Sequence, residues 1–266
     1  MTNTFDLTGR HVLVTGGARG IGRMIAEGLL RRGVTVYVST RKQDAADEAA
    51  RELGELGEVH AFAVDVATEQ GCQDLVENVL AYTGRLDGLI NNAGATWGAP
   101  FDEFPDSVWD KIFGVNVKAP FNLARAARTL LEAAAADGAG PARIINIGSI
   151  DGLLVPNYEN YSYAASKAAI HHLTRQLAAN LAPSILVNAI APGPFPTKMM
   201  KFALEEHSEE IERSNPLGRV GRPEDIDGTI AFLLSAASSY ITGAVIPLDG
   251  GLTTTASVNL FDAKEA

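Results

Sequence analysis

The sequence predicts an α/β fold, a doubly wound parallel sheet of seven strands with helices on both faces. Three observations lead there. Short β-branched apolar runs alternate with longer helix-period runs along nearly the whole chain. The first strand run, at 10–16, stops at glycines that open straight into a helical pattern. Later strand runs also stop at Gly, Asn, Asp, Ser or Pro, so polar punctuation collects at one end of the strands.

The elements follow in order. After the strand at 10–16, Gly16-Gly17-Ala18-Arg19-Gly20-Ile21-Gly22 leads into a helix carried by Ile21, Ile25, Leu29 and Leu30. Residues 34–39 are a second strand and 45–53 a helix; 59–64 are a third strand, ending at Asp65-Val66, and 69–82 a helix. A fourth strand at 86–90 runs into Asn91-Asn92-Ala93-Gly94. Residues 107–136 read as one long helix of roughly 45 Å at 1.5 Å per residue, kinked at Pro120. Asn116 sits inside it, a poor choice on helix propensity, and is either solvated or aimed at a site. A fifth strand at 143–147 stops at Gly148-Ser149, and 163–181 form an Ala-rich helix. A sixth strand at 185–190 ends at Pro192-Gly193, with a charged helical excursion at 199–213. A helix at 224–235 and a seventh strand at 244–248 complete the alternation. No composition break divides residues 1–266, so one domain is expected, with a substrate cover at about 197–216 and a tail at 252–266.

Composition removes several function classes. The net charge of -10 argues against nucleic acid and anionic membrane as partners. No apolar run approaches the roughly 20 residues of a spanning helix, and the polar opening lacks a signal core. The single Cys72 excludes an internal disulfide and fits a reducing cytoplasm. The five histidines show no metal-ligand spacing, so no metal is expected.

The chemistry-bearing residues lie at the punctuated strand ends. Glycines 16, 20 and 22 let backbone approach a pyrophosphate, and the following helix N-terminus offers free N–H groups. The second strand ends in Ser39-Thr40-Arg41-Lys42, with no acid for a ribose 2′-hydroxyl. Arg19, Thr40 and Arg41 suit a 2′-phosphate instead, which points to NADP(H) over NAD; the plainer alternative is the start of a solvated helix. Tyr163 and Lys167 are one helical turn apart, next in sequence to Ser149 on a strand end. Taken alone, that is an ordinary surface pair. Beside a dinucleotide turn, it reads as a phenol whose pKa an ammonium lowers, poised to exchange a proton with an alcohol or ketone.

With these motifs in hand, the sequence resembles the short-chain dehydrogenase/reductase family from about residue 7 to 251. The resemblance rests on Thr15-Gly16-x-x-x-Gly20-x-Gly22, Asp65-Val66, Asn91-Asn92-Ala93-Gly94, Asn116-Val117, Ser149, Tyr163-x-x-x-Lys167, and Pro192-Gly193 with Thr197. The wording is most similar to bacterial 3-oxoacyl reductases of the rhamnolipid type. The resemblance implies Tyr163 as general acid, Lys167 as its tuner and ribose contact, and Ser149 as the group polarising the substrate oxygen. It further implies Asn116 holding a relay water and Asp65 with Val66 at the adenine. Asn92, Ala93 and Gly94 would line the adenine-ribose side. Thr197 and the Phe195 backbone would fix the carboxamide, and Ile21, Pro192 and Gly193 would also contact the cofactor. Two departures stand out: a slightly long 149–163 loop carrying Tyr158 and Tyr161, and Ala182-Pro183-Ser184 before the sixth strand.

The expected activity is hydride transfer between NADP(H) and a ketone or secondary alcohol. A 3-oxoacyl thioester leads, with a sugar acid, steroid or small cyclic ketone as alternatives; a non-catalytic nucleotide-binding protein is the reading from another class. Met199, Phe202 and Ala203 share a helical face, with Trp97 and 153–156 as an opposite wall. Arg125 with Arg128, or Lys198 with Lys201, are candidate docking cations for a carrier protein. The Ala-rich helices 107–136 and 163–181 predict a homo-oligomer, a tetramer built from dimers.

Overall fold

Strand β1 (His11–Thr15) is almost wholly buried, and its neighbours set the plan of the molecule. The computed structural model describes residues 3–137, 140–197, 200 and 209–255. In it β1 lies between β2 (Thr35–Thr40) and β4 (Gly88–Asn91), parallel to both. β3 (Val59–Ala63), β5 (Ala142–Ile147), β6 (Ile185–Pro192) and β7 (Val245–Leu248) complete a seven-stranded parallel sheet in the order 3-2-1-4-5-6-7. The order reverses between β1 and β4, which opens the crevice where doubly wound sheets take their ligands.

Each crossover carries helix. α1 (Gly20–Leu30) and α2 (Gln43–Gly54) follow β1 and β2, and α3 (Glu69–Leu80) follows β3. Ile25 and Leu29 of α1 pack in one apolar layer with Ile226 and Ile230 of the last helix, Pro223–Leu234. The opposite layer joins Leu75 of α3, Leu123, Leu131 and Leu177 over Leu13, Leu89 and Ile144. With both sheet faces covered, the central strands read as continuous apolar runs.

The expected single helix over 107–136 is three. α4 (Ser107–Phe113) passes into a π turn at Gly114–Lys118, then α5 (Ala119–Ala126) and α6 (Arg128–Ala136). The Ala119 N–H reaches back five residues to the Gly114 carbonyl. Pro120 therefore falls in the first turn of α5, where its missing N–H costs little, and the irregularity sits at Asn116 instead. α7 (Tyr161–Leu181) starts two residues earlier than read, and its buried face is half polar: Ser162, Ser166, Lys167, His171 and Thr174. That face is the floor of the site, not a failed core. The last helix, α8 (Pro223–Leu234), opens with a proline at its start.

Residues 209–214 are helical. Most of the expected cover, including Lys198, Met199, Lys201, Phe202 and Ala203, lies outside the described residues, as does the tail from 256. Among the described residues no helix is long and apolar enough to cross a membrane, and no His, Cys, Asp or Glu cluster could hold a metal ion. Cys72 is buried with its Sγ 3.2 Å from the Val66 carbonyl, and burial pushes the thiol up to about 11, which leaves it unreactive.

Candidate active site

The crevice starts at the β1–α1 turn. Gly16 and Gly20 hold left-handed backbone, φ 65° and 56°, a region costly for any side chain. A Cβ at Gly22 would stand 2.4 Å from both the Asn92 amide and the Gly16 carbonyl. The turn is thus closed down to bare backbone facing the crevice, the cradle a pyrophosphate needs. Its support comes from the β4 end: Asn92 Nδ2 donates to the Thr15 carbonyl at 2.9 Å, and the Asn92 and Ala93 N–H groups both donate to Thr15 Oγ1 at 3.0 Å. The Asn92 Nδ2 group thus braces the glycine turn from the end of β4, beside the crevice. α1 has no side-chain cap at Arg19, so its first N–H groups remain free for an anion.

Parallel register brings Thr15 level with Ser39, so Arg19 and Thr40–Arg41 emerge on the same rim. Arg19 and Arg41 are exposed, and among the described residues neither has a carboxylate partner. Next along the rim, Asp65 is exposed and Val66 buried before α3. Across the crevice, Thr197 Cγ2 lies 3.5 Å from where a Gly20 Cβ would be, so the segment after β6 closes over the start of α1. Pro192 is buried in β6, and Gly193 clears Asp249 only because it lacks a side chain. Phe195 is 2% exposed and anchored against Gly221, so only its backbone can face a ligand. Ile21 turns partly into the core, leaving its N–H at the helix start.

Deeper in, the β5 end and α7 bring Ser149, Tyr163 and Lys167 together. Ser149 is buried and faces Tyr163, and its Oγ accepts the Asp151 N–H at 3.2 Å. Lys167 is 5% exposed; its Nζ lies 5.5 Å from the Tyr163 ring centroid and donates to the Ile147 carbonyl at 2.8 Å. Asn116 borders the group, its Oδ1 taking the Ala95 N–H at 2.9 Å and its Nδ2 giving to the Ala95 carbonyl and Ser166 Oγ. Both Nδ2 hydrogens are used, and the Asn116 main-chain carbonyl is open to a water because Pro120 denies it the usual helical donor. A buried chain below, Asn91 to Asn146 to Thr174, ties β4, β5 and α7 into one floor.

The family model described as enoyl-(acyl carrier protein) reductase matches residues 16–253. A rhamnolipid-biosynthesis 3-oxoacyl-[acyl-carrier-protein] reductase of Pseudomonas aeruginosa is 42% identical, across 93% of this chain and 97% of its own. The chain belongs to the short-chain dehydrogenase/reductase family. The Pseudomonas aeruginosa RhlG/NADP active-site complex superposes with a TM-score of 0.90 at 41% identity, covering 95% of this chain and all of that one. Gluconate 5-dehydrogenase of Gluconobacter oxydans is 35% identical over 94% of this chain and 96% of its own.

In this short-chain dehydrogenase/reductase the proton-handling groups differ from the simple expectation. Burial pushes Tyr163 up to about 12, eased by the Ser149 hydrogen bond and reinforced by the Asp151 charge. Desolvation of the buried phenol outweighs the lowering expected from Lys167, whose ammonium lies 5.5 Å from the ring centroid. Burial lowers Lys167 to about 8, with Asp151 opposing. Tyr158 donates to Asp151 Oδ2 and is raised, first by burial and then by that bond, so it is no rival acid.

Sequence reasoning passed over Asp151 and His171. Asp151 announced itself only as a polar residue in an otherwise apolar stretch. His171, one turn beyond Lys167, fills the notch left by Gly148 and Gly152; a Cβ on either would strike its ring at 2.1 and 2.8 Å. Burial holds it near 4, hence neutral. Two glycines bracketing Ser149 were the signal for it.

Proposed function

We propose that this oxidoreductase reduces 3-oxoacyl thioesters with NADPH. Bound NADPH supplies the hydride. Tyr163 gives the substrate oxygen its proton, Ser149 donates to the same oxygen, and Lys167 favours the phenolate left behind. Arg19, Thr40 and Arg41 hold the 2′-phosphate. The NADP complex of the 41%-identical relative supports that cofactor.

One observation carries the substrate class. The two described loops flanking Ser149 and Tyr163, residues 94–105 and 150–160, contain no Lys or Arg, only Asp102, Glu103, Asp151 and Glu159. A sugar acid would meet only like charge there. The same loops expose Trp97, Leu153, Leu154 and Val155, the last 94% exposed, a surface an acyl chain covers favourably. Carrier-protein docking draws no support from Arg125 and Arg128, since Glu69 and Glu132 engage them. Coenzyme A thioesters are therefore the proper probes. With them, kcat/KM should rise about fourfold per added methylene until the apolar wall is covered, each being worth about 0.8 kcal/mol. Good turnover of keto-sugar acids with neglect of thioesters of every length would replace this reading by the sugar-acid one.

A further inference from the structure

The Ile150–Gly152 turn lies directly on α7, its Gly152 Cβ position 2.6 Å from the carbonyl carbon of Lys167. It carries Asp151, 6% exposed, between Ser149 and that contact. Tyr158 OH at 2.7 Å and Asn160 Nδ2 at 2.8 Å both donate to Asp151 Oδ2. The loop that the resemblance makes slightly long is thus folded back to grip one buried carboxylate. We propose that Asp151, gripped by Tyr158 and Asn160, is a positioning residue: a fixed anion that sets the proton balance between Tyr163 and Lys167. This rests on the reading of Tyr163 as proton donor.

Among the described residues, the groups acting on the pair are few. Ser149 faces Tyr163 from the end of β5, and Asp151 acts on Tyr163, Lys167 and Tyr158 from the turn. His171, on α7 itself, senses the Lys167 charge and is neutral. Among the described residues, Asp151 is the one acid acting on both partners. A negative charge there opposes the phenolate and favours the ammonium. Tyr163 stays loaded with its proton, and Lys167 stays charged, to higher pH than burial alone would allow. That suits a reductase, which consumes a proton at each turnover.

The grip makes a clean test available. Both hydrogen bonds end on the same oxygen, so Asp151→Asn keeps them on its amide oxygen and removes only the charge. In Asp151→Asn the alkaline fall of kcat/KM for NADPH-dependent reduction of acetoacetyl-coenzyme A should move to lower pH by at least about half a unit. Tyr158→Phe loses one bond but no charge, so its alkaline fall should stay in place while kcat drops. An unmoved fall in Asp151→Asn, or an equal shift in Tyr158→Phe, overturns the proposal. Tyrosinate absorbance after a rapid pH jump, referenced to Tyr163→Phe, reads the same coupling without substrate or cofactor. Should the wild-type protein reduce no ketone, the functional reading fails while this titration still decides the role of Asp151. If Asp151→Asn does not fold, Asp151→Ser carries both measurements, with the same outcomes.

Discussion

The proposed 2′-phosphate role of Arg19 and Arg41 draws on their exposure and on the absence of a carboxylate partner for either among the described residues. Each charge-assisted hydrogen bond to such a phosphate is worth about 1.5–3 kcal/mol. Thr40→Asp with Arg41→Ala removes one guanidinium and adds an acceptor for a ribose hydroxyl, while repelling phosphate. The KM for NADPH should rise roughly ten- to a hundredfold, and that for NADH should fall. Steady-state kinetics with both reduced cofactors checks it; unchanged preference would return Arg41 to the role of an ordinary helix start. Other single residues resisted reading for a physical reason. Asn116 and Asn92 are polar groups at a ligand crevice, yet their amides are spent on protein backbone. Sequence shows that a residue is polar, not which neighbour takes its hydrogen bonds. The Tyr163 shift runs opposite to the expected lowering, because desolvation of the buried phenol outweighs the nearby ammonium.

At the scale of elements, periodicity did most of its work where burial is two-sided. The strands at 34–39 and 185–190 differ from β2 and β6 by a residue or two at the ends, the ordinary uncertainty of boundaries. The helix over 107–136 was misread because helical period persists through a π turn, which adds one residue without disturbing composition. Propensity alone hinted at it, through Gly114, Asn116 and Pro120 in one stretch. α7 was legible as a helix, though its buried polar face was not, since five polar residues there look solvent-facing until β5 is laid against them. Tyr163-x-x-x-Lys167 survived this ambiguity because helical spacing alone puts the two side chains on one face.

For the whole molecule, the parallel sheet covered on both faces follows from alternation, while the order 3-2-1-4-5-6-7 that opens the crevice between β1 and β4 is visible only in the structure. Assembly was argued from alanines, and the structure redistributes them. Ala124, Ala127 and Ala134 are buried within the subunit, while Ala165, Ala168 and Ala179 of α7 face outward. Phe101, Trp109, Phe121 and Tyr161 are exposed as well, and exposed apolar side chains of this size are candidates for a contact surface. We propose that this face pairs two copies, and pairs of pairs form a tetramer. Light scattering at micromolar concentration should give a multiple of the 28.1 kDa chain; a monomer would refute it.

In the proposed reaction Tyr163, set between Ser149 and Lys167, protonates a ketone reduced by NADPH. Its most direct test is NADPH consumption with a 3-oxoacyl-coenzyme A substrate by the wild-type protein and by Tyr163→Phe, with NADPH binding measured in both. The account predicts NADPH-dependent turnover in the wild type, and a loss of roughly 10²–10⁴-fold in kcat for the variant at unchanged cofactor affinity. Equal turnover by Tyr163→Phe would contradict it.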